Sequence, residues 1–155
     1  MTKSTDTIAD VPTSIVSGFL GVGKTTAIRN LLSQKPENER WAVLVNEFGE
    51  VGVDASLLEV GTSNEKEIFL REVPGGCMCC TNGLPMQMAL NQLLSRARPH
   101  RLLIEPTGLG HLEEVIGTLS SGFNQKTIRL NAVVTLVDAR MLNQDRYLKN
   151  DTFTQ

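Results

Sequence analysis

The chain has 155 residues, of which 41% are hydrophobic, enough for one domain with a core but not for two complete domains. Its 15 Lys and Arg residues against 17 Asp and Glu residues give a formal net charge of -2, so we expect no nucleic-acid partner. The apolar runs are far shorter than the roughly 20 residues that cross a bilayer, and MTKSTDTIAD lacks the apolar stretch of a signal peptide. We therefore expect a cytoplasmic protein that binds no membrane.

Residues 1–12, rich in Thr, Ser and Asp, are predicted to form a flexible tail, and residues 13–155 to form one domain. After the tail, short apolar runs alternate with stretches of helical spacing. The predicted strands are 14–17, 42–45, 68–73, 102–104 and 132–137. The predicted helices are 25–33, 84–97 and 111–119, followed by a helix-like stretch over 139–149. Runs such as WAVLV are apolar on both faces, so the pattern predicts an α/β fold: a mostly parallel, doubly wound sheet with helices on both faces.

The sequence SIVSGFLGVGKTT contains the phosphate-binding pattern G-x-x-x-x-G-K-[ST] without a mismatch, between a predicted strand and a predicted helix. Backbone N–H groups and the helix N-terminus would there converge on a polyphosphate. Lys24 is expected to neutralise the β- and γ-phosphates, and the Thr25 hydroxyl to bind Mg²⁺. The predicted nucleotide-binding residues of this loop are Gly18, Gly21, Val22, Gly23, Lys24, Thr25 and Thr26. The competing dinucleotide fingerprint fails because Thr26 stands where it requires a third glycine, and the Lys and Thr favour nucleotide binding over a merely tight turn.

Two further segments offer carboxylates at predicted strand ends. Glu105 follows the apolar run of RLLIEPTG and has the spacing of the D-x-x-G element of GTPases, so we expect it to hold Mg²⁺, directly or through water. Gly108 could give its N–H to a γ-phosphate, whose loss would release the segment after it. In NEFGE, Glu47 is a second Mg²⁺ candidate, whereas Glu50 fits an exposed turn equally well. The alternative for Glu105 is a solvated acid before a proline turn.

Three thiols, those of Cys77, Cys79 and Cys80, occupy four consecutive positions after a predicted strand and before a predicted helix. A helix N-terminus favours thiolates, and three thiolates suit Zn²⁺ or Cu(I), with Co²⁺ as a substitute. Because structural zinc sites usually have four protein ligands, an open fourth position suits delivery of the ion. A redox thiol pair and buried apolar cysteines are the alternatives. His100 and His111 lie in turn-like surroundings and are not assigned as ligands.

The motifs GFLGVGKTT, NEFGE, GGCMCC, EPTG and LVDA occur in this order and closely resemble the CobW-type family of metal-linked P-loop GTPases. These are relatives of the nickel-insertion GTPases of urease and hydrogenase maturation. The resemblance implies a metallochaperone that hydrolyses GTP with Mg²⁺ and loads Zn²⁺ or Co²⁺ onto a client protein or a cofactor-synthesis enzyme. In this interpretation Lys24, Thr25 and Glu105 are catalytic, and the three cysteines bind the transferred ion.

The family's guanine-reading N-K-x-D element normally follows the strand that ends at Val137 and Asp138. Neither this element nor the usual C-terminal domain occurs in the 155 residues. We therefore expect either the N-terminal part of a longer protein or a shortened member, and GTP rather than ATP is implied by the resemblance alone. The sequence does not decide between a monomer and a homodimer. The rival functions are a nucleotide-gated metal-binding or sensing module with negligible turnover, and a thiol redox switch.

Overall fold

The computed structural model describes residues 8–45, 68–73, 84–106, 112–122 and 124–143. Within these ranges all five predicted strands and the helices predicted over 25–33, 84–97 and 111–119 are present. In chain order the elements are β1 (Val11–Gly18), α1 (Lys24–Ser33), β2 (Trp41–Val45), β3 (Ile68–Glu72), α2 (Leu84–Ala97), β4 (Arg101–Glu105), α3 (Leu112–Leu119), α4 (Asn124–Thr127) and β5 (Ile128–Leu136).

The described strands form one sheet in the order β3-β2-β4-β1-β5, and every neighbouring pair is parallel. The register places Val45 opposite both Glu72 and Glu105, and Gly18 opposite Leu136. All strands therefore end along one side of the sheet, the carboxyl edge, and begin along the opposite side, the amino edge. The doubly wound α/β fold predicted from the sequence is confirmed. In such sheets ligands bind at the carboxyl edge.

The core lies on both faces of the sheet because the central strands are apolar on both sides. On one face, Ile28 and Leu32 of α1 pack with Val43 and Leu103 of the central strands. On the other face, the buried residues of α2 and α3 pack with alternate residues of the same strands. This second cluster includes Ala42, Leu44, Leu102 and Ile104 from the sheet and Met86, Leu90, Val115 and Leu119 from the helices. The helix α1 is thus fixed against the sheet, including Val16 of the strand that precedes it.

The first strand begins at Val11 rather than after the predicted tail boundary at residue 12, and Ile8 already packs against the core. Pro12 lies inside β1 although proline lacks the N–H that a strand normally donates. Pairing of β1 with β4 begins only at Thr13, so at the level of Pro12 the strand has a neighbour, β5, on one side only. The missing N–H is tolerated there, which explains the early start of the strand.

The last strand also begins earlier than predicted, at Ile128 instead of residue 132. A register shift between Thr13 and Ser14 leaves Asn131 unpaired as a bulge, and this polar residue interrupts the apolar pattern in the sequence. Within the described residues β5 pairs with β1 alone. Val133 and Val134 are 38% and 51% exposed, so this strand presents apolar side chains at the border of the sheet.

The prediction and the structure differ at two further places. The structure contains a short helix, α4, that the sequence does not predict. The predicted helix-like stretch over 139–149 is described only for residues 139–143, and these form turns. The N–H of Met141 donates to the carbonyl of Asp138 at 2.9 Å, a spacing of three residues rather than the four of an α-helix. None of the described helices combines the length and apolar character that crossing a membrane requires.

Candidate functional site

The loop that joins β1 to α1 at the carboxyl edge depends on glycine at its first position. Gly18 has a φ of 144°, and a Cβ atom there would lie 2.6 Å from the carbonyl oxygen of Leu136 and 2.9 Å from the Cγ1 atom of Val22. The Leu136 carbonyl belongs to the neighbouring strand β5 and cannot rotate away. The absence of a side chain therefore lets the loop lie directly against the sheet.

The loop ends on Gly23, which precedes the first residue of α1 and has a φ of 100°. Among the described residues no side chain caps this end of the helix, and its first turn contains no acidic residue. The first N–H groups of a helix have no partner within the helix, and the helix dipole places partial positive charge there. The N-terminus of α1 is thus suited to an anion such as a phosphate.

Lys24, the first residue of α1, is 6% exposed. Its ammonium group donates hydrogen bonds to the carbonyl oxygens of Gly18 and Phe19, at 3.1 and 3.2 Å. The cation is therefore held over the glycine-rich loop by neutral acceptors. Since a phosphate oxygen is a stronger acceptor for an ammonium than a carbonyl is, these two bonds can be exchanged for contacts with an anion.

The Thr25 hydroxyl donates to the carboxylate of Glu105, with oxygen–oxygen distances of 3.0 and 3.2 Å. The two residues are 80 positions apart in the sequence and meet because β4 lies beside β1. Burial raises the pKa of the Glu105 carboxyl above its ordinary value, while the Thr25 hydrogen bond and the charge of Lys24 act in the opposite direction. With its hydrogen used on Glu105, the hydroxyl keeps lone pairs that can bind a cation.

Other predicted loop residues lie in the same region, and some predicted site residues are outside the described ranges. Gly21 has a φ of 78°, the N–H of Val22 donates to the carbonyl of Phe19 at 3.2 Å, and Thr26 follows in the first turn of α1.

The predicted site residues outside the described ranges are Glu47, Cys77, Cys79, Cys80 and Gly108. Within the described part of the chain no group of three or more His, Cys, Asp or Glu residues could hold a metal ion.

The segments that carry these outlying residues follow strands that end at the carboxyl edge. Glu47 comes two residues after Val45, the last residue of β2, and Cys77 comes four residues after Val73. Val73 is fully buried, and its N–H donates to the carbonyl of Val45 at 3.0 Å. The ends of β2 and β3 are thus joined to each other at the same edge as the glycine-rich loop.

The sequence patterns assign no binding or catalytic role to Asp138. It lies two residues beyond Leu136, whose partner on β1 is Gly18. The Asp138 carboxylate accepts hydrogen bonds from the backbone N–H and the guanidinium of Arg140, which lowers its pKa to about 2. The signal in the sequence is an aspartate two positions before an arginine after an apolar strand, a spacing that permits a local turn. The pair places a charged turn at the carboxyl edge beside the loop.

The sequence model of the CobW/HypB/UreG nucleotide-binding domain matches residues 12–155. The chain belongs to the CobW/HypB/UreG family. This CobW/HypB/UreG-family domain is 50% identical over 141 residues to the zinc chaperone YeiR of Escherichia coli, an alignment that covers 91% of the chain and 42% of YeiR. It is 34% identical over 153 residues to the zinc-regulated GTPase metalloprotein activator 1 of Schizosaccharomyces pombe, covering 94% of the chain and 36% of that protein.

A solved structure of a Zn(II)-bound triple mutant of the YjiA GTPase shares the fold of this CobW/HypB/UreG-family domain. The TM-score is 0.59 at 26% sequence identity, and the match covers 90% of the chain and 44% of that structure. The chain therefore spans about two fifths of the length of the curated relatives that it matches.

Proposed function

We propose that the chain is the nucleotide-binding part of a GTP-hydrolysing zinc metallochaperone. The observation that carries the proposal is the hydrogen bond between Thr25 and Glu105 at the N-terminus of α1, directly beside the Lys24 ammonium. A hydroxyl and a carboxylate are oxygen ligands of the kind that Mg²⁺ prefers. The donor set therefore fits a magnesium nucleotide.

In this proposal the N–H groups of the glycine-rich loop and of the first turn of α1 bind the phosphates. Lys24 leaves the carbonyl oxygens of Gly18 and Phe19 and contacts the β- and γ-phosphates. Thr25 and Glu105 hold Mg²⁺, which, when bound, neutralises charge that develops on the phosphate oxygens. Gly108 donates its N–H to the γ-phosphate, so the segment after β4 responds to hydrolysis.

The proposed cargo is Zn²⁺, with Co²⁺ as an alternative, and its proposed ligands are Cys77, Cys79 and Cys80. Thiolates are among the protein ligands that zinc prefers, and the names of the zinc chaperone YeiR and of the zinc-regulated relative from Schizosaccharomyces pombe refer to this metal. Glu47 is proposed to reach the nucleotide's Mg²⁺. The ion is delivered to a client protein or a cofactor-synthesis enzyme, and nucleotide hydrolysis changes the affinity of the cysteines for it.

The first test compares GTP hydrolysis by the full-length protein with that of Lys24→Ala. Removing the ammonium should lower kcat/KM by at least about a hundredfold, because a preorganised charge at the phosphates is lost. The matched control is Lys126→Ala, an exposed lysine of α4, which should stay within about twofold of the wild type. Unchanged turnover in Lys24→Ala would overturn the proposed nucleotide site.

The second test is a zinc titration against a chromophoric chelator, with and without GTP and Mg²⁺. A chaperone requires the two conditions to differ in zinc affinity, and a triple serine variant of the cysteines should lose the high-affinity ion. Equal zinc affinity in both conditions would contradict nucleotide-controlled delivery. A nucleotide-dependent affinity without multiple turnover would instead indicate a metal sensor.

A further inference from the structure

The amino edge of the sheet, opposite the nucleotide site, carries a concentration of positive charge. Two segments contribute to it, residues 35–41 and 96–101, which contain five Lys and Arg residues and two Glu residues. The cationic residues are Lys35, Arg40, Arg96, Arg98 and Arg101. The segments therefore carry a formal charge of +3, and since the whole chain carries -2, all other residues together carry -5. The charge of this protein is strongly asymmetric.

The two segments are held together by backbone hydrogen bonds and by Arg40. The N–H of Arg40 donates to Nδ1 of His100 at 2.9 Å, and the N–H of His100 donates to the carbonyl of Arg40 at 2.8 Å. The Arg40 guanidinium donates to the carbonyl oxygens of Ala97 and Arg98 at 2.9 to 3.1 Å. Arg98 itself has a φ of 41°. The backbone that carries the cations is thus fixed in one conformation.

Three guanidinium groups on this backbone have no carboxylate partner within the described residues, those of Arg96, Arg98 and Arg101. This differs from Arg129 and Arg140, which form ion pairs with nearby aspartates. Both Arg96 and Arg98 are exposed to solvent. They can therefore accept a carboxylate from outside the domain without first breaking an ion pair with any described residue.

Arg101 contributes a guanidinium that is held by an aromatic ring. Its guanidinium lies over the ring of Trp41, 5.1 Å from the centroid. Its Nε atom is buried, and no hydrogen-bond acceptor reaches it in the described part of the chain. The residue as a whole is partly exposed, and stacking on Trp41 orients the guanidinium, so the part of it that is not buried is preorganised for a carboxylate.

We propose that the arginine surface, formed by Arg40, Arg96, Arg98, His100 and Arg101, docks an acidic segment of a partner protein. Guanidinium groups bind carboxylates through paired, charge-assisted hydrogen bonds. An acidic peptide segment is short enough to contact the surface alone. A nucleic acid extends beyond it and meets the negative charge of the remaining residues, which repels it.

The location of this surface is compatible with simultaneous nucleotide binding. Arg101 is the first residue of β4 and Glu105 is its last, so four residue steps of about 3.3 Å place the two sites roughly 13 Å apart along the strand. A docked partner at the amino edge leaves the carboxyl edge accessible. Docking at the amino edge does not depend on the proposed metal cargo.

The test measures fluorescence anisotropy of a labelled oligoglutamate peptide with the full chain at about 20 mM and about 200 mM salt. We expect saturable binding that weakens at the higher salt concentration, because exposed charges are screened over about a Debye length. Arg98→Glu should weaken binding by about tenfold or more, since it replaces attraction by repulsion. The matched control, Arg29→Glu, reverses an exposed charge on α1 and should change binding by less than about twofold.

Arg96→Gln serves as a second variant and removes a charge from an exposed helix position. It should weaken oligoglutamate binding several-fold. Its circular dichroism spectrum should equal that of the wild type, which shows that the fold is intact. Nucleotide affinity should be equal in all variants, which separates loss of docking from damage to the nucleotide site. Equal oligoglutamate binding by the wild type, Arg98→Glu and Arg96→Gln would overturn the proposal. Tighter binding of a single-stranded oligodeoxythymidylate of matched charge would also overturn it, in favour of a nucleic-acid surface.

Discussion

The packing of Gly18 predicts a large and specific loss of stability in Gly18→Ala. The new methyl carbon would lie 2.6 Å from the Leu136 carbonyl oxygen and 2.9 Å from Cγ1 of Val22. Overpacking of this kind costs about 1–3 kcal/mol. The φ of 144° adds about 1–3 kcal/mol for any residue with a side chain. At the middle of both ranges the free energy of unfolding falls by about 4 kcal/mol.

Urea denaturation followed by circular dichroism measures this loss. With a slope of about 2 kcal/mol per molar urea, the midpoint should fall by about 2 M. Gly21→Ala is the matched control, because Gly21 also has a positive φ, 78°, but a Cβ atom there would meet nothing within 4 Å. Its cost should be the conformational part alone, about 1–2 kcal/mol. Equal midpoints for the two variants would refute the argument that contact with β5 requires glycine at position 18.

Three further predictions concern ionisable groups and their partners. Because burial places the pKa of Glu105 above its unfolded value of 4.5, the unfolded chain ionises first and stability falls as pH rises through the folded pKa. Thermal unfolding should thus show Glu105→Gln more stable than the wild type at about pH 7 and equal to it at about pH 4; no gain at neutral pH would contradict this. Thr25→Val should weaken Mg²⁺-dependent nucleotide affinity by about tenfold or more in a fluorescent-nucleotide titration, whereas Thr25→Ser should retain it, and equal affinities would count against a hydroxyl ligand. In Arg140→Ala the pKa of Asp138 should return from about 2 toward 3.8 in an NMR titration, and a pKa that stays near 2 would exclude the guanidinium as its cause.

The alternation of apolar runs and helical spacing was sufficient to predict the fold, because strands covered on both faces have a distinctive composition. The ends of the strands were harder to predict. Proline and asparagine are both uncommon inside strands, so Pro12 and Asn131 each favour a strand boundary in a sequence-based prediction. Each is accommodated by a neighbour that is distant in the chain, Pro12 where β4 has not yet begun and Asn131 in a bulge beside β1. Because the neighbour that accommodates each residue is distant in the chain, no local pattern in the sequence predicts these strand ends.

At the site, the sequence indicated Lys24, Thr25 and Glu105 as separate candidates for one magnesium nucleotide. It could not show that Thr25 donates directly to Glu105, because that contact depends on the order of β4 and β1 in the sheet. Nor could it show that Lys24 rests on loop carbonyl oxygens. His100 was left without a role, and its hydrogen bonds with Arg40 depend on the adjacency of β2 and β4 at the amino edge.

The strand order also sets the distance between the two strand ends from which the glycine-rich loop and the cysteine motif continue. The strand that leads into the glycine-rich loop, β1, and the strand that precedes the cysteine motif, β3, are separated by β4 and β2. Three interstrand spacings of about 4.8 Å place the carboxyl ends of these two strands roughly 14 Å apart. Between these two ends lie the carboxyl ends of β4 and β2, from which the chain continues into the segments that follow them. Those following segments carry Gly108 and Glu47, which makes the two residues the natural first positions at which to look for uncoupling mutations.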